Sequence, residues 1–584
     1  MLFHHNGYVS EDPRVLPAEG TRPAELPDTM DVLIVGSGPA GMIAAAQLSM
    51  FPSVHTRIIE KREGRLPLGQ ADGIQSRSVE TFQAFGFANE IIDEAFEITE
   101  MSFWANDNGT IVRGPRPLDD EQGISEFPHL IVNQARVLDY FARFMKRSPS
   151  RMEPDYGWEF VTLEVNRGEE YPVHVTVTDG TTERTVKAKY VVGCDGARSK
   201  VRKSIGRKLE GKSANHAWGV MDALVDTDFP DWRTKCAIHS AAGSILHIPR
   251  EGGFLCRIYV DLGESYEGVR DTPLERVIEK ANEIYAPYSI DVKEVAWHSI
   301  YEVGHRLVDG FTDEQEDPRV FLTGDACHTH SAKAGQGMNV SMQDGFNIGW
   351  KLGHVLDGRA PEELLRTYHD ERQPAAANLI SFDREWSSLM ADPQADPSEV
   401  ERYYVTAEEF AAGMMTEYSE NLVTGHRDHQ DLATGFPVGR RFKSYRAMRR
   451  CDARTLHLGH EHTADGRWRV YVFADESTEA LQAWAENMHV DPELVDARVI
   501  YQQPYRSFEV LDAPELFRPK VGKLNIPAWE QVWAAIEGED IFDARGISRD
   551  GAVVVVRPDQ YVGGVFPLNS TNEIQQFFAK VLRK

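Results

Sequence analysis

The run Asp31-Val-Leu-Ile-Val-Gly36-Ser-Gly38-Pro39-Ala40-Gly41 constrains this chain more than any other stretch. Its first residues read as a short buried strand. Three glycines follow at G-x-G-x-x-G spacing, and an alanine-rich run to about Met50 reads as a helix. A second apolar run, Thr56 to Ile59, ends in Glu60 and Lys61. In such a β-α-β unit the glycines permit a tight turn and close backbone approach to a pyrophosphate, and the helix N-terminus faces the phosphates. The acid, about 20 residues on, accepts hydrogen bonds from ribose hydroxyls. A lone G-x-G-x-x-G is weak evidence, but here strand, helix and acid all stand in place. The unit points to α/β architecture and a bound dinucleotide, and does not by itself separate FAD from NAD.

A second constraint lies far downstream, in Val320-Phe-Leu-Thr-Gly-Asp325-Ala-Cys-His-Thr-His-Ser-Ala332-Lys-Ala334-Gly335-Gln336-Gly337-Met338-Asn339. Val320 to Leu322 reads as a buried strand. The Asp325 carboxylate can accept from sugar-like hydroxyls, and Gly335-Gln336-Gly337 lets backbone come close to a ligand. Asn339 is the expected N-cap of a helix running to about Leu356, whose N-terminus favours negative charge. This is a seat for a molecule with hydroxyls at one end and developing negative charge at the other, which describes a flavin. Between the two lies Tyr190-Val-Val-Gly-Cys-Asp195-Gly196, a strand ending in Asp-Gly before a short helix.

The three motifs, in this order, resemble those of the single-component FAD-dependent aromatic hydroxylases, in their phenol hydroxylase and 3-hydroxybenzoate 4-hydroxylase branch. The resemblance covers nearly the whole chain and departs from the family at Ala332, where proline is usual. It implies FAD bound by Gly36, Gly38, Pro39, Ala40, Gly41, Glu60, Lys61, Gln70, Arg77, Gln134, Asp195, Gly196, Asp325 and the run Ala334 to Asn339. It places Asp72, in Gly69-Gln70-Ala-Asp72-Gly, near the substrate hydroxyl, and Tyr259 with it. His129 falls where the 3-hydroxybenzoate enzymes keep an active-site histidine, and Arg250 matches a pocket-edge arginine. Lys235 matches a lysine that pairs with the substrate carboxylate by a charge-assisted hydrogen bond. Each has a plain alternative: a loop Asp is usually a turn residue, a strand Tyr is usually packing, and most lysines are solvated. A one-residue register slip would turn Lys235 outward.

The expected fold is α/β: a FAD-binding Rossmann-like domain with an inserted β-sheet substrate domain and a C-terminal thioredoxin-like domain. Residues 1–28 read as an arm, and 29–209 as the first part of the FAD domain, with some substrate-domain strands near 100–125. The substrate sheet is expected at 210–303, the second FAD part at 304–395, a connector at 396–439 and the thioredoxin-like domain at 440–584. That last domain has no C-x-x-C, which argues against redox catalysis there; the resemblance implies scaffold and homodimer contact as its roles. The five scattered cysteines fit reduced thiols in the cytoplasm and no metal site. A net charge of 63 − 91 = −28 argues against nucleic acid and anionic membranes as partners. No apolar run reaches membrane-spanning length, and Met1-Leu-Phe-His-His lacks signal-peptide features.

The chemistry implied by the resemblance is hydroxylation of a phenolic ring by NADPH or NADH and O₂, through a C4a-hydroperoxyflavin. Lys235 favours 3-hydroxybenzoate, giving 3,4-dihydroxybenzoate. Asp72, Tyr259 and His129 are the candidates to bind and deprotonate the phenol, whose pKa lies near 10. Ortho-hydroxylation of phenol to catechol is the close alternative. A flavin-binding scaffold or sensor without turnover is an alternative of another class. A plain NAD-linked dehydrogenase would leave the second and third motifs unexplained.

Overall fold

The computed structural model describes residues 2–4, 6–120, 123–265, 268–330, 336–391, 402 and 407–583. The Rossmann-like sheet runs in the order Asp155–Tyr156, Thr56–Glu60, Thr29–Val35, Glu183–Gly193, Val173–Thr178, Glu159–Val165. The strand Val320–Leu322 adds in parallel to the far end of Glu183–Gly193. Its parallel strands are apolar on both faces, and Val32 to Val35, Ile58, Val191, Val192 and Val320 to Leu322 are all buried, as helices on both sides require. Register brings Val35 opposite both Ile59 and Gly193, and Gly193 opposite Leu322. The three motifs therefore end at one edge, the carboxyl edge where α/β sheets bind ligands.

Helix Pro39–Leu48 packs on helix Gly337–Leu356 through small residues spaced one turn apart. A Cβ on Gly345 would stand 2.2 Å from the Ala40 carbonyl oxygen, and one on Gly349 3.1 Å from that of Ala44. Gly345 and Gly349 let the two backbones meet, and Gly353 leaves room for the Phe51 ring.

The second sheet has eight strands in the order His328–Thr329, Ile290–Val308, Leu209–Thr227, Cys256–Glu264, Gly243–Pro249, Lys235–Ser240, Met101–Asp107, Thr110–Arg113. It thus draws two strands from residues 101–113 and extends past 303 to Val308. Alternation divides its faces. Met221, Ile238, Ile245 and Ile258 pack with Val277, Ala281 and Ile284 of helix Leu274–Tyr285. Met101, Trp218, Val220, Ala237, Leu246 and Tyr259 pack on the opposite face. The pairings Lys235 with Met101, Ala237 with Leu246, Leu246 with Tyr259, and Tyr259 with Val220 put Lys235 on this second face. A small sheet, Gly73–Ile74, His129–Ile131 and Phe96–Ile98, lies against it.

The C-terminal domain has the strand–helix–strand, strand–strand–helix order expected of a thioredoxin-like unit. Trp468–Phe473 and Val495–Tyr501 are parallel and joined by helix Glu479–Asn487. Ala552–Val556 and Val562–Phe566 follow antiparallel, closed by helix Thr571–Val581. The domain docks through buried polar groups: Lys351 Nζ donates to Glu371 Oε2 (2.7 Å), and Arg557 donates to Glu371 and Asp559. The N-terminal arm holds a two-strand hairpin, Leu2–His4 with Gly7–Val9. Most of the first ten residues of the expected connector lie outside the described residues.

Candidate active site

At the carboxyl edge of the first sheet, the glycines do different work. Gly36 has φ +103°, and a Cβ there would stand 2.5 Å from the Cys194 carbonyl oxygen. A Cβ on Gly41 would stand 2.0 Å from the Gly36 carbonyl oxygen. Both are glycine because the fold leaves no room. Gly38, the N-cap of helix Pro39–Leu48, has φ −74° and no described atom within 4 Å of its Cβ position. Its openness suits a ligand lying over the helix N-terminus, beside Pro39 and Ala40. Glu60 is bound to the same loop: its Oε2 accepts from Ser37 N (3.1 Å) and Ser37 Oγ (2.9 Å). Lys61 beside it is exposed.

The second motif is tied to the first and third by backbone. Cys194 N donates to Val35 O (2.8 Å), and Thr323 N to Gly193 O (3.0 Å). Asp195 Oδ2 accepts from the amides of Lys200 and Val201, while Oδ1 is buried with no partner among the described residues. Gly196 takes φ +78°. Asp325 is exposed in the turn Gly324–Ala326. The open Gly38, the orphaned Asp195 oxygen and the exposed Asp325 carboxylate are space and acceptors of the kind a dinucleotide with a hydroxyl-bearing chain requires.

One expectation needs correcting, and several residues of the cofactor set have partners within the protein. Helix Gly337–Leu356 is capped by Gln336, not by Asn339, which lies inside the first turn. The Asn339 side chain instead clips the segment after Asp72: its Oδ1 accepts from Gln75 N (3.0 Å), and its Nδ2 donates to Gly73 O (3.0 Å). Gln336 Nε2 donates to the Ala411 carbonyl. Arg77 is buried and points to the C-terminal domain, donating to Gln560 Oε1 (2.8 Å) and Asp559 O (3.1 Å). It clamps the two domains together. Gln134 Oε1 accepts from Ala71 N (3.2 Å) and so steadies the loop carrying Asp72. Gly337 and Met338 open the helix, and Met338 is buried. Ala332, Ala334 and Gly335 lie outside the described residues.

Between the sheets lies a cavity of about 380 Å³, within the size range of small-molecule sites. It is lined by Lys235, His129, Asp119, Gln75, Leu246 and Phe382, among others. His129 Nδ1 lies 2.9 Å from Asp119 Oδ2, and Lys235 Nζ lies 3.6 Å from Asp119 Oδ1, longer than a hydrogen bond. His129 and Lys235 are thus brought together, and the acid that joins them, Asp119, was not singled out from the sequence.

Asp72, Tyr259 and Arg250 form a second, deeper group. Asp72 Oδ2 is 3.2 Å from Arg257 Nη1 and 3.5 Å from Arg250 Nη1, with no hydrogen-bond partner among the described residues. Arg257 donates to both oxygens of Asp222 (2.6 and 2.8 Å) and to the Gln70 carbonyl. Arg250 donates to Asp222 (2.7 Å) and Glu251 (2.8 and 3.0 Å), and its side chain is fully buried. It is a strut of this network rather than the expected pocket-edge group. Burial raises the Asp72 pKa, against the pull of Arg257 and Arg250. Burial, with the Asp72 carboxylate second, raises that of Tyr259. Tyr301 OH donates to Gln70 Oε1 (3.2 Å). Tyr259 shares its apolar cluster with Ile98, Met101 and Leu246, all of which line the cavity.

Family models described as "FAD binding domain" and "Phenol hydroxylase, C-terminal dimerisation domain" match residues 29–383 and 416–584. The chain is 45% identical over 639 aligned positions to a 3-hydroxybenzoate 4-monooxygenase of Comamonas testosteroni, covering 100% of both chains. It is 31% identical to a phenol 2-monooxygenase of Aspergillus fumigatus, covering 94% of this chain and 96% of that one. Among solved structures, the flavin-dependent monooxygenase PieE in complex with FAD and substrate superposes with TM-score 0.71 at 20% identity, covering 94% and 98%. A ternary complex of aklavinone-11 hydroxylase with FAD and aklavinone gives 0.69 at 21%, with the same coverage. Both structures share the fold.

Proposed function

This chain belongs to the family of single-component FAD-dependent aromatic hydroxylases, and from that premise we propose that it converts 3-hydroxybenzoate to 3,4-dihydroxybenzoate. It is an FAD-dependent aromatic monooxygenase, and NAD(P)H is the reductant of its family. The balanced reaction takes the ring acid, O₂, NAD(P)H and a proton to the dihydroxy acid, NAD(P)⁺ and water. Bound FAD supplies hydride acceptance and activation of O₂. The chain supplies the seat: Gly38 and the N-terminus of helix Pro39–Leu48 for the pyrophosphate, Glu60 for a ribose, and Asp195 and Asp325 for the remaining polar groups.

The observation that carries the substrate assignment is Lys235 in the cavity wall, on the sheet face that also bears Tyr259. An ammonium there favours a ring carboxylate, and His129 stands beside it. Tyr259 and Asp72 take the hydroxyl end. A phenol of pKa near 10 needs a proton acceptor at neutral pH, and a carboxylate raised by burial is a better match than one left in water. Arg257 positions Asp72 from behind.

Ortho-hydroxylation of phenol is a second reading, and Asp119 favours it: its carboxylate already lies beside Lys235 and His129, in the place a substrate carboxylate would take. The deciding experiment is NAD(P)H oxidation by the purified yellow protein with 3-hydroxybenzoate and phenol tested separately and products identified. Formation of 3,4-dihydroxybenzoate supports the proposal; catechol from phenol with the acid inert replaces it. Oxidation without any hydroxylated product would indicate a flavoprotein without ring turnover.

The C-terminal domain, taken as residues 440–584, serves homodimer contact. Leu511, Leu524, Ile526 and Trp529 are exposed there, at 61, 54, 45 and 46%, an apolar group that suits a partner surface. Light scattering on the eluted protein tests this, and a monomer mass would rule it out. Among the described residues no helix is long and apolar enough to cross a membrane. With five unpaired cysteines, a cytoplasmic setting is the natural one.

A further inference from the structure

We propose that Glu126, His457 and His460 form a binding site for a divalent transition-metal ion, zinc in the first place. The site lies at the seam between the cavity wall and the C-terminal domain. The three side chains come from segments more than 300 residues apart and meet with one ligand atom of each within 4.8 Å of the others. His460 Nε2 is 3.0 Å and His457 Nδ1 is 3.7 Å from the same oxygen, Glu126 Oε1. Ligand atoms held about 2.0–2.2 Å from a tetrahedral zinc ion stand about 3.4 Å apart. The two separations from Glu126 Oε1 bracket that value, and the third is within 4.8 Å.

One of the ligand atoms also lacks a partner. His457 Nδ1 is buried with no hydrogen-bond partner among the described residues, a cost that a metal ion would relieve. Two imidazoles and one carboxylate make a zinc donor set with a fourth position for water.

The histidines are set by local structure. His457 ends the strand Arg454–His457, and His460 lies in the turn Leu458–Glu461, so only two residues lie between them. Their rings lie 4.9 Å apart at 21°, and Phe127 stacks on His460 at 4.9 Å. The positive charges nearby are already engaged. Arg446 is paired with Glu539, and Arg545 donates to the carbonyls of Lys443 and Ser444. Glu80, the other nearby acid, is paired with Arg441. Ile124, Ser125, Glu126 and Phe127 all line the cavity that holds Lys235 and His129. An ion at this site would therefore fasten one cavity wall to the C-terminal domain.

The test is calorimetric titration of chelator-treated, FAD-loaded full-length protein with Zn²⁺, with melting followed in parallel. One ion per chain and a rise in melting temperature are expected. His460→Ala should weaken binding about a hundredfold or more, and the pair His457→Ala/His460→Ala should abolish both signals. Both histidine side chains are more than a quarter exposed, so the variants should fold. Glu126→Gln, which keeps the shape, gives an independent reading of the carboxylate. Absence of stoichiometric binding in the parent protein, or undiminished binding in the double variant, overturns the proposal.

Discussion

Two buried charge networks in this molecule use the same residue types to opposite ends. At the seam between the FAD domain and the C-terminal domain, Lys351 and Arg557 face Glu371 and Asp559: two cations, two anions, bonded at 2.6–3.0 Å. Under the second sheet, Arg250 and Arg257 face Asp72, Asp222 and Glu251, three acids to two bases. In the first, Arg557 and Lys351 outweigh burial and hold the Glu371 carboxyl well below its usual range. In the second, burial outweighs the arginines and Asp72 is raised. A balanced, satisfied network joins domains. An unbalanced one, with the Asp72 oxygen left without a hydrogen bond, stores the capacity to take a proton. What separates scaffold from site here is charge balance and satisfaction, not burial.

The largest expected effect comes from breaking the balanced network. Arg557→Met leaves Glu371 buried without its main partner and should cost about 3–5 kcal/mol, read as a lower denaturation midpoint. Asp72→Asn should do the reverse. It removes an acid from the network with excess negative charge, so melting stays level or rises, while turnover falls about 10²–10⁴-fold if Asp72 is the proton acceptor. Equal melting losses in the two variants would erase the distinction.

Smaller effects sharpen it. Lys235→Met should weaken 3-hydroxybenzoate by about 1.5–3 kcal/mol, seen in KM, and leave phenol little changed. Equal losses on both substrates would remove the carboxylate role. Gly38→Ala should leave the fold intact, since open space surrounds that position, yet lower the flavin content of the purified protein. Gly41→Ala should instead harm folding, because its Cβ would strike the Gly36 carbonyl.

The two carboxyls also respond to pH with opposite sign. The stabilisation by Glu371 is complete above its unfolded value of 4.5 and is lost as pH falls through its depressed folded value. The contribution of Asp72 is present below its unfolded value of 3.8 and is lost as pH rises through its raised folded value. The acidic limb of the turnover profile should therefore lie above the ordinary carboxylate range and disappear in Asp72→Asn. Melting between pH 3 and 7 should fall with acid in the parent protein, and that slope should be shallower in Glu371→Gln.

Much of this was legible in the sequence because it is local. The glycine loop, the Asp-Gly step at 195–196 and the Gly324-Asp325 turn each carry their own signature, and parallel pairing forces their strand ends to one edge. Lys235 was marked by the family resemblance, and the strand register places it on the same face as Tyr259. What stayed hidden depends on contacts across the chain. Arg257 and Asp222 are ordinary strand residues until Leu209–Thr227 and Cys256–Glu264 pair in register. Asp119 sits in a polar stretch with no pattern. The partner of Arg77, Gln560, is 483 residues away, and capping preference at Asn339 says nothing about a neighbouring strand end.

The most direct test is Asp72→Asn holoenzyme, with turnover on 3-hydroxybenzoate, flavin content and melting temperature measured on one preparation. A large loss of product formation with full flavin and a melting temperature at or above that of the parent protein is the predicted result. Unchanged turnover, or turnover lost together with a collapse in melting temperature, would contradict it.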